Sequence, residues 1–225
     1  MSTPPADFQR ARRPEHKELR AASILNAART LGLAKGVRAV TLTDIANEAG
    51  INKSAVLRYY ETREEIYLRL TAEGWTAWST RVRAALGAAG ERSAETLADV
   101  LATTVLGQPL FCDLLAHATL NLERHVSREA VLSFKLRVLG SIADLTRAVA
   151  DFEPRLGEAG ARDVVSGVTL LAGGLWQASH PPSTLAELYT ERPDLGHAVV
   201  DLPDKLNSLV RALITGLSAP GSTAH

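Results

Sequence analysis

The stretch TLTDIANEAGINKSAVLRYYETR, residues 41–63, decides the fold of the first part of this chain. Thr41 is placed to cap a helix, and Gly50 supplies the left-handed residue that ends it. Asn52 is placed to cap a second helix, predicted over residues 53–60. Because the loop between the two helices is short, they cross at a steep angle, and the start of the second can enter a DNA major groove. The stretch therefore predicts a DNA-reading helix-turn-helix.

Charge is distributed unevenly along the chain, although the formal net charge of its 225 residues is zero. Residues 1–60 hold 10 Lys and Arg against 5 Asp and Glu, and residues 61–225 hold 15 against 20. The two parts therefore carry +5 and −5. A basic head attracts DNA phosphates, whereas an acidic body is repelled from them and must face away.

Composition excludes several classes of protein. A hydrophobic fraction of 46% with 22% charged residues is that of an ordinary globular protein. Cys112 is the single cysteine, which excludes an intrachain disulfide and a zinc site built from several thiolates. The most apolar run, residues 164–176, is too short and too interrupted to span a membrane, and the N-terminus lacks a signal-peptide pattern. We therefore expect a cytoplasmic protein with no membrane association, no metal and no cofactor.

Both ends of the chain look unstructured. Residues 1–14 combine prolines with arginines and predict a flexible basic arm, which is either a disordered leader or a segment that touches DNA. Residues 15–63 form the predicted helix-turn-helix domain, in which a first helix over 15–35 is ended by Gly36. Residues 218–225 are predicted to be a disordered tail.

The rest of the chain, residues 64–217, reads as a larger helical domain with no convincing strand, so the fold class is all-α. A long helix after Arg63 connects head to body. Further helices are predicted over residues 93–106, 110–126, 131–152, 160–179 and 204–217, with a loop over 181–203. Three glycines inside the helix over 160–179 predict a close approach of another backbone.

Two of the body helices, residues 160–179 and 204–217, carry more apolar surface than a monomer needs. A symmetric dimer would bury that surface. The predicted interface residues are the apolar side chains of these helices, namely Val164, Val168, Leu171, Leu175, Leu206, Leu209, Val210, Leu213 and Leu217.

The segments ILNAARTLGLAKG (24–36) and AGINKSAVLRYYETREEIYLRL (49–70), with Thr41, Asp44, Ile45 and Ala46 between them, resemble the TetR (tetracycline repressor) family of bacterial transcriptional regulators. The resemblance covers about residues 18–70. It implies an all-helical homodimer whose two heads read a palindromic operator, and a C-terminal domain that dimerises and encloses a small-molecule pocket. Ligand binding in this family shifts the spacing of the heads and releases the DNA.

By matched position, the resemblance places DNA contacts on Thr41, Thr43, Lys53, Ser54, Ala55, Leu57, Arg58, Tyr59 and Arg63. Lys53 and Ser54 are the candidates for base readout, whereas Arg58, Tyr59 and Arg63 suit phosphate contacts. Two positions depart from the family pattern. Leu57 cannot donate a hydrogen bond to phosphate, and Gly32 leaves a gap where the family has a bulky aromatic, which we expect Tyr60 to fill.

The effector pocket implied by the resemblance is assigned to aromatic, apolar and polar side chains of the body, namely Trp78, Phe111, Leu115, His117, Asn121, Phe134, Val138, Ala172 and Trp176. The alternative is that the aromatic side chains form an ordinary core. His117 and Asn121 lie one helical turn apart and either face a ligand or form a solvated edge. Cys112, beside Phe111, reads as a small buried hydrophobe, with a redox sensor as the alternative.

These observations favour a repressor that binds a palindromic operator as a homodimer and is released by a small apolar or amphipathic effector. The alternative is a DNA-binding protein without an effector, whose body serves only for dimerisation or interaction. A third hypothesis is a helical enzyme or carrier with a vestigial head. We expect no enzymatic activity, because the sequence has no recognisable nucleophile motif, phosphate-binding glycine loop or carboxylate pair.

Overall fold

A computed structural model describes residues 6–117, 122, 126–192, 194–195 and 201–219, with residues 6–15 described as helical backbone only. These residues form ten α-helices and no strand. The helices are α1 (Ala6–Lys35), α2 (Leu42–Glu48), α3 (Lys53–Val56), α4 (Arg63–Ala88), α5 (Ala94–Leu106), α6 (Pro109–His117), α7 (Arg128–Phe152), α8 (Gly157–Ser179), α9 (Ser183–Glu191) and α10 (Leu202–Leu217). Short 3-10 turns lie at Val37–Ala39 and Pro154–Leu156.

The predicted caps of the helix-turn-helix are confirmed. The Thr41 hydroxyl accepts a hydrogen bond from the Asp44 N–H, and the Asn52 side chain accepts one from the Ala55 N–H. Gly50 has φ 66°, the left-handed conformation that glycine adopts at no steric cost. These local interactions end α2 and start α3 within a few residues of each other.

The second helix of the pair is shorter than predicted. Only Lys53–Val56 is α-helical, because the N–H groups of Arg58 and Tyr59 donate to carbonyls three residues back rather than four. Tightening of the last turn into this pattern is common at helix ends. The chain then reaches Thr62, whose side chain caps α4 by accepting a hydrogen bond from the Glu65 N–H.

The predicted boundary of the flexible arm is wrong for residues 6–14. The first helix begins at Ala6 and continues to Lys35, where Gly36 with φ 78° ends it as predicted. Residues 6–13 contain two alanines, one glutamine and three arginines, which favour helix, although Pro14 interrupts the hydrogen-bond ladder. Residues 1–5 and 220–225 lie outside the described part of the chain.

The body is built around α4, which runs from the head into the larger domain and packs against α5, α6 and α7. Its Tyr67, Trp78 and Val82 are fully buried, and the Tyr67 hydroxyl lies 3.4 Å from the Ala28 carbonyl of α1. Buried side chains of head and body belong to a single apolar cluster. The head is therefore fixed to the body through α4 as well as through α6.

Helix α8 is buried on several sides, as predicted, by α5, α6, α7 and α10. A Cβ at Gly173 would lie 2.9 Å from the backbone nitrogen of Ala116, so this glycine permits the predicted close backbone approach. At Gly167 the neighbour is instead the Leu213 side chain, and Gly174 has open space around it. The outer face of α8 remains open, with Leu170 75% exposed.

Four of the predicted interface residues are buried within a single chain, which corrects their assignment. Val164, Val168, Leu206 and Val210 each have 0% exposure, because α8 and α10 pack against each other and against α5. Apolar residues at helical spacing occur both in the core of a single chain and in the interface of a dimer, so the sequence pattern does not distinguish the two. The partly exposed residues of the predicted set are Leu171, Leu175, Leu209, Leu213 and Leu217.

The predicted loop over 181–203 contains a helix. After Pro181 and Pro182 the chain forms α9, whose described side chains are all at least partly exposed. The predicted helix over 110–126 is observed as α6 up to His117, and residues 118–121 and 123–125 lie outside the described part of the chain. Among the described residues no single helix has the length and apolar character to cross a membrane, although α5 and α6, bent by 88°, pass that test as a pair.

Candidate nucleic-acid interface and body clefts

The exposed start of α3 is the candidate reading surface. Lys53 and Ser54 are exposed, and Thr43 of α2 is exposed beside them in the helix pair. The Asn52 side-chain oxygen accepts hydrogen bonds from the Ala55 N–H and the Ser54 hydroxyl, both at 2.8 Å. The cap therefore holds the first turn of α3 rigid while the Lys53 ammonium extends into solvent.

The start of α2 is also held in place by local hydrogen bonds. The Asp44 carboxylate accepts hydrogen bonds from the Thr41 hydroxyl at 2.7 Å and from the Thr41 N–H at 2.8 Å. Both bonds, with the side-chain one the stronger cause, lower the pKa of Asp44. Thr41 is thus engaged in a capping box at the start of α2.

The remaining predicted contacts of the second helix differ in exposure. Leu57 is 45% exposed and Arg58 is exposed, whereas Ala55 and Tyr59 are partly buried, with Tyr59 packed against the core. Arg58 is therefore an exposed cation at this end of the head. Leu57 offers apolar surface only.

Arg63, which was predicted to contact phosphate, makes several contacts within the chain. Its Nη2 donates to the Val37 carbonyl at 2.7 Å, its Nη1 pairs with Glu64 at 2.7 Å, and its guanidinium lies over the Tyr67 ring. The side chain is only 22% exposed. Arg63 thus ties the turn after α1 to the start of α4.

A second tie to the same turn comes from the body. Asp113 of α6 accepts hydrogen bonds from the Val37 N–H at 2.7 Å and from Gln177 of α8 at 2.8 Å, and His117 lies 3.5 Å away. Burial raises the pKa of Asp113, but the hydrogen bonds from His117, Val37 and Gln177 outweigh it and hold the pKa below its usual value. One buried carboxylate therefore joins the head to two body helices.

The gap at Gly32 is filled from α6 rather than by Tyr60. A Cβ on Gly32 would lie 2.8 Å from Leu110 Cδ1 and 3.6 Å from Tyr67 Cε1. Tyr60 instead lines a small cleft beside Phe134, and burial raises its pKa. The prediction for Tyr60 is therefore wrong, because a side chain distant in sequence occupies the space.

Trp78 and Phe111, two of the aromatic residues assigned to the effector pocket, form a close cluster with Trp75. Phe111 lies 5.7 Å from Trp75 and 6.3 Å from Trp78 between ring centroids, and the Trp78 indole donates to the Thr104 hydroxyl at 3.0 Å. A side chain at Gly74 would collide with the Phe111 ring. These contacts are those of a packed core, and they leave only one edge of Phe111 facing a cleft.

The structure does not bring the other predicted pocket residues together around one described cavity. Val138 and Ala172 are buried, Leu115 and His117 are partly buried, and Trp176 stacks on His180 at 3.9 Å. Phe111 and Phe134 line two separate clefts of about 450 and 130 Å³. Asn121 lies outside the described residues.

A larger groove of about 640 Å³ runs along the solvent side of α4, and the sequence reasoning missed it. The groove is lined on α4 by Arg69, Thr76, Thr80 and Arg81. Arg137 of α7 lines its other side. The polar positions of α4 do recur at helical spacing, but that pattern is typical of any solvated helix face. Only the packing of α7 against α4 turns the face into a groove.

Cys112 is fully buried, and its thiol lies 3.3 Å from the Val105 carbonyl. Burial raises the pKa of the Cys112 thiol to about 12, which disfavours the reactive thiolate. Within the described residues, no three His, Cys, Asp or Glu side chains converge as metal ligands.

Comparison with known proteins identifies both parts of the chain. Residues 72–221 match the tetracyclin repressor-like C-terminal domain, and residues 24–70 match the bacterial regulatory proteins of the tetR family. Over 60 residues the chain is 37% identical to the uncharacterized HTH-type transcriptional regulator YfiR of Bacillus subtilis (strain 168). That match spans 27% of this chain and 29% of YfiR.

Solved structures share the whole fold. Thermus thermophilus FadR, a TetR family transcriptional repressor in complex with lauroyl-CoA, aligns with a TM-score of 0.55 and 18% identity over 91% of this chain and 98% of its own. A possible TetR family transcriptional regulator from Streptomyces coelicolor A3(2) aligns with a TM-score of 0.56 and 18% sequence identity. The alignment covers 88% of this chain and 98% of that one. Because the C-terminal family model alone covers more than half of the residues and the N-terminal one covers the helix pair, this chain belongs to the TetR family of DNA-binding transcriptional regulators.

Proposed function

We propose that the protein is a repressor that binds a palindromic operator as a homodimer and releases it when a small molecule binds the body. The observation that carries the DNA-reading part is the rigidly capped, exposed start of α3, with Lys53 and Ser54 at its tip. A lysine ammonium in the major groove donates to guanine O6 or N7 and so distinguishes base pairs. Arg58 positions the head by contacting phosphate.

Dimerisation is supported by the open outer faces of α8 and α10. Leu170 is 75% exposed, and the partly exposed Leu171 and Leu213 lie on the same two helices. Gly174 and Gly216 have open space around them, so the corresponding helices of a second copy can approach closely. A two-fold axis through this surface would bury it and present two heads to successive half-sites.

Effector release is supported by the clefts around α4 and by the connection of α4 and α6 to the head. The Thermus thermophilus relative was solved with lauroyl-CoA, so a protein of this fold holds an amphipathic ligand. The packed cluster of Trp75, Trp78 and Phe111 favours the alternative of an effector-independent DNA-binding protein. The two hypotheses differ in one measurable outcome, which is dissociation of the operator complex by a bound small molecule.

The test of the DNA-reading part starts with selection of an operator from a random DNA pool, followed by fluorescence titration of the selected site. We expect a palindromic site. Lys53→Ala should relax preference by about 1–3 kcal/mol at one base pair of each half-site. Lys205→Ala, at an exposed lysine of α10, is the matched control and should leave preference unchanged. Equal preference in the wild type and Lys53→Ala would refute the assignment of α3.

A further inference from the structure

We propose that the groove along α4 is a binding site for a small amphipathic anion, a carboxylate or phosphate that carries an apolar chain. The inference deepens the proposed effector response and rests on it for its biological role. It places the site on the solvent side of α4, between α1, α6 and α7, and outside the aromatic cluster of Trp75, Trp78 and Phe111.

The cationic part of the site is the groove of about 640 Å³, whose charged lining residues are Arg69, Glu73, Arg81 and Arg137. It shares Glu73, Ala77 and Arg81, one row of side chains along α4, with the cleft of about 450 Å³ beside it, so the two clefts adjoin along that row. Arg29 of α1 lines that second cleft. Together the two clefts are lined by four arginines and one glutamate, a net charge of +3.

This local charge is opposite to that of the surrounding body. Residues 61–225 carry 15 Lys and Arg against 20 Asp and Glu, so this part of the chain is acidic overall. Three of its arginines, Arg69, Arg81 and Arg137, nevertheless line the same groove. Cations that line a concave surface raise the local concentration of anions. An anionic ligand would therefore be drawn to this groove in preference to the rest of the body surface.

The arginines are not neutralised by their neighbours. Glu73 is shared between Arg29 at 2.8 Å and Arg69 at 3.6 Å, so one carboxylate serves two cations. Arg81 donates to the Gly107 carbonyl at 3.1 Å and pairs with no carboxylate among the residues that the structure describes. Arg137 makes no hydrogen bond or ion pair within the described part of the chain. Arg81 and Arg137 therefore retain donors for a ligand, and a guanidinium binds carboxylate or phosphate with two parallel hydrogen bonds.

The apolar part of the site is the adjoining cleft of about 450 Å³. Its apolar lining comes from three helices: Leu33 of α1, Leu70 of α4, and Leu110, Phe111 and Leu114 of α6. Leu33 is 56% exposed, and a chain laid in the cleft would cover it. An apolar cleft that adjoins a cationic groove matches a ligand with a hydrocarbon body and an anionic head, and its size is that of ordinary ligand sites.

The site also spans the elements that hold the head. Arg29 belongs to α1, whose C-terminal end leads into the Val37 turn, while Leu110 and Leu114 flank Asp113, which binds that turn. A ligand wedged between α1, α4 and α6 would thus act on the helices that orient the DNA-reading pair. This connects occupancy of the groove to the proposed release of DNA.

The experiment is calorimetric titration of the full-length protein, without DNA, with dodecanoate, dodecyl phosphate and neutral dodecanol, each below its micellar or solubility limit. We expect both anions to bind once per chain and dodecanol to bind at least about tenfold more weakly, because it lacks the charge-assisted hydrogen bonds. The tighter of the two anions identifies the preferred head group. Binding of neither anion, or equal binding of dodecanol, would overturn the proposal.

Variants locate the site. Arg81→Gln and Arg137→Gln should each weaken binding of the anions about tenfold or more and leave dodecanol unchanged. Both side chains are exposed, so the fold should tolerate the changes. Arg83→Gln is the matched control, since Arg83 lies on α4 and pairs with Asp144 outside the groove. Unchanged anion affinity in both groove variants, or an equal loss in Arg83→Gln, would place any binding elsewhere and refute the site.

A separate operator titration keeps the two proposals distinguishable. If an anion binds through Arg81 and Arg137 but does not release the operator, the site stands and the effector response of the proposed function fails. If the protein binds its operator but neither anion, the site fails and DNA reading stands.

Discussion

Asp113→Asn tests the junction between the DNA-reading head and the body. The wild-type carboxylate is 8% exposed and accepts hydrogen bonds from the Val37 N–H and Gln177, with His117 beside it. The change keeps the size of the side chain and removes its charge. Any effect therefore comes from these hydrogen bonds rather than from a cavity.

The magnitude follows from the donors that surround the side chain. An asparagine has one acceptor oxygen, so when that oxygen accepts from the Val37 N–H its NH2 group faces Gln177, whose amide must turn over to accept and can no longer donate to residue 113. A hydrogen bond to a charged acceptor contributes about 1.5–3 kcal/mol, and a buried donor without a partner costs about 1–3 kcal/mol. Since the two effects overlap, we expect a loss of about 3 kcal/mol. For a chain of this length that lowers Tm by about 6–12 °C.

The loss should depend on pH in a defined direction. Burial raises the pKa of Asp113, but the surrounding hydrogen bonds lower it further, and the net shift is downward. A carboxyl whose folded pKa is depressed contributes stability above its unfolded pKa of about 3.9, and this contribution is lost as pH falls through the folded value. The difference between wild type and Asp113→Asn should therefore be full near neutral pH and shrink below about pH 4.

The assay is thermal unfolding at one fixed protein concentration across this pH range, because an oligomer's Tm depends on concentration. Asp144→Asn is the control. Its carboxylate is 47% exposed and lies 3.9 Å from Arg83 and 3.6 Å from Arg147, so its loss should cost less than about 1 kcal/mol. If Asp113→Asn unfolds within about 2 °C of wild type at neutral pH, or if the gap stays constant into acid, the reasoning about this junction is wrong.

Three further changes test other parts of the molecule. Arg58→Ala should weaken binding to all operator sequences alike and reduce the slope of log affinity against log salt by about one, measured by titration at several salt concentrations; an unchanged slope would remove Arg58 from the phosphate contacts. Leu170→Glu should halve the mass measured by light scattering, whereas Leu19→Glu, an equally exposed leucine of α1, should not; a dimer that survives charge at Leu170 would contradict the proposed interface. Gly173→Ala should lower Tm, because its Cβ meets the backbone of α6, while Gly140→Ala, with open space around it, should leave Tm unchanged or raise it; equal effects would argue against the close approach of α6 and α8.

The head was predictable because its structure is specified locally. Thr41, Gly50 and Asn52 act on groups within a few residues of themselves, so their roles follow from spacing alone. Arg63 shows the limit of that reasoning. Its position at the start of a helix beside the reading pair suits a phosphate contact, yet the Val37 carbonyl, distant in sequence, takes its guanidinium.

The body was predictable in its helices and much less in its surfaces. The apolar period of α8 and α10 is the same whether the residues face their own chain or another, so Val164 and Leu206 were indistinguishable from Leu171 before the packing was known. The groove depends on how α4 and α7 pack, and Arg137 reaches it from a helix that begins 40 residues after the end of α4. Such a site has no contiguous motif.

The Val37 turn explains how the body can control the orientation of the head. Its N–H is held by Asp113 of α6, and its carbonyl is held by Arg63 of α4, so the two polar groups of one peptide segment bind two different helices. Because Val37 itself is 1% exposed, neither group can exchange its partner for water without opening the core. A displacement of α6 relative to α4 must therefore break one of these bonds or carry the turn with it. Since the turn connects α1 to α2, a turn that moves with α6 also moves the DNA-reading pair.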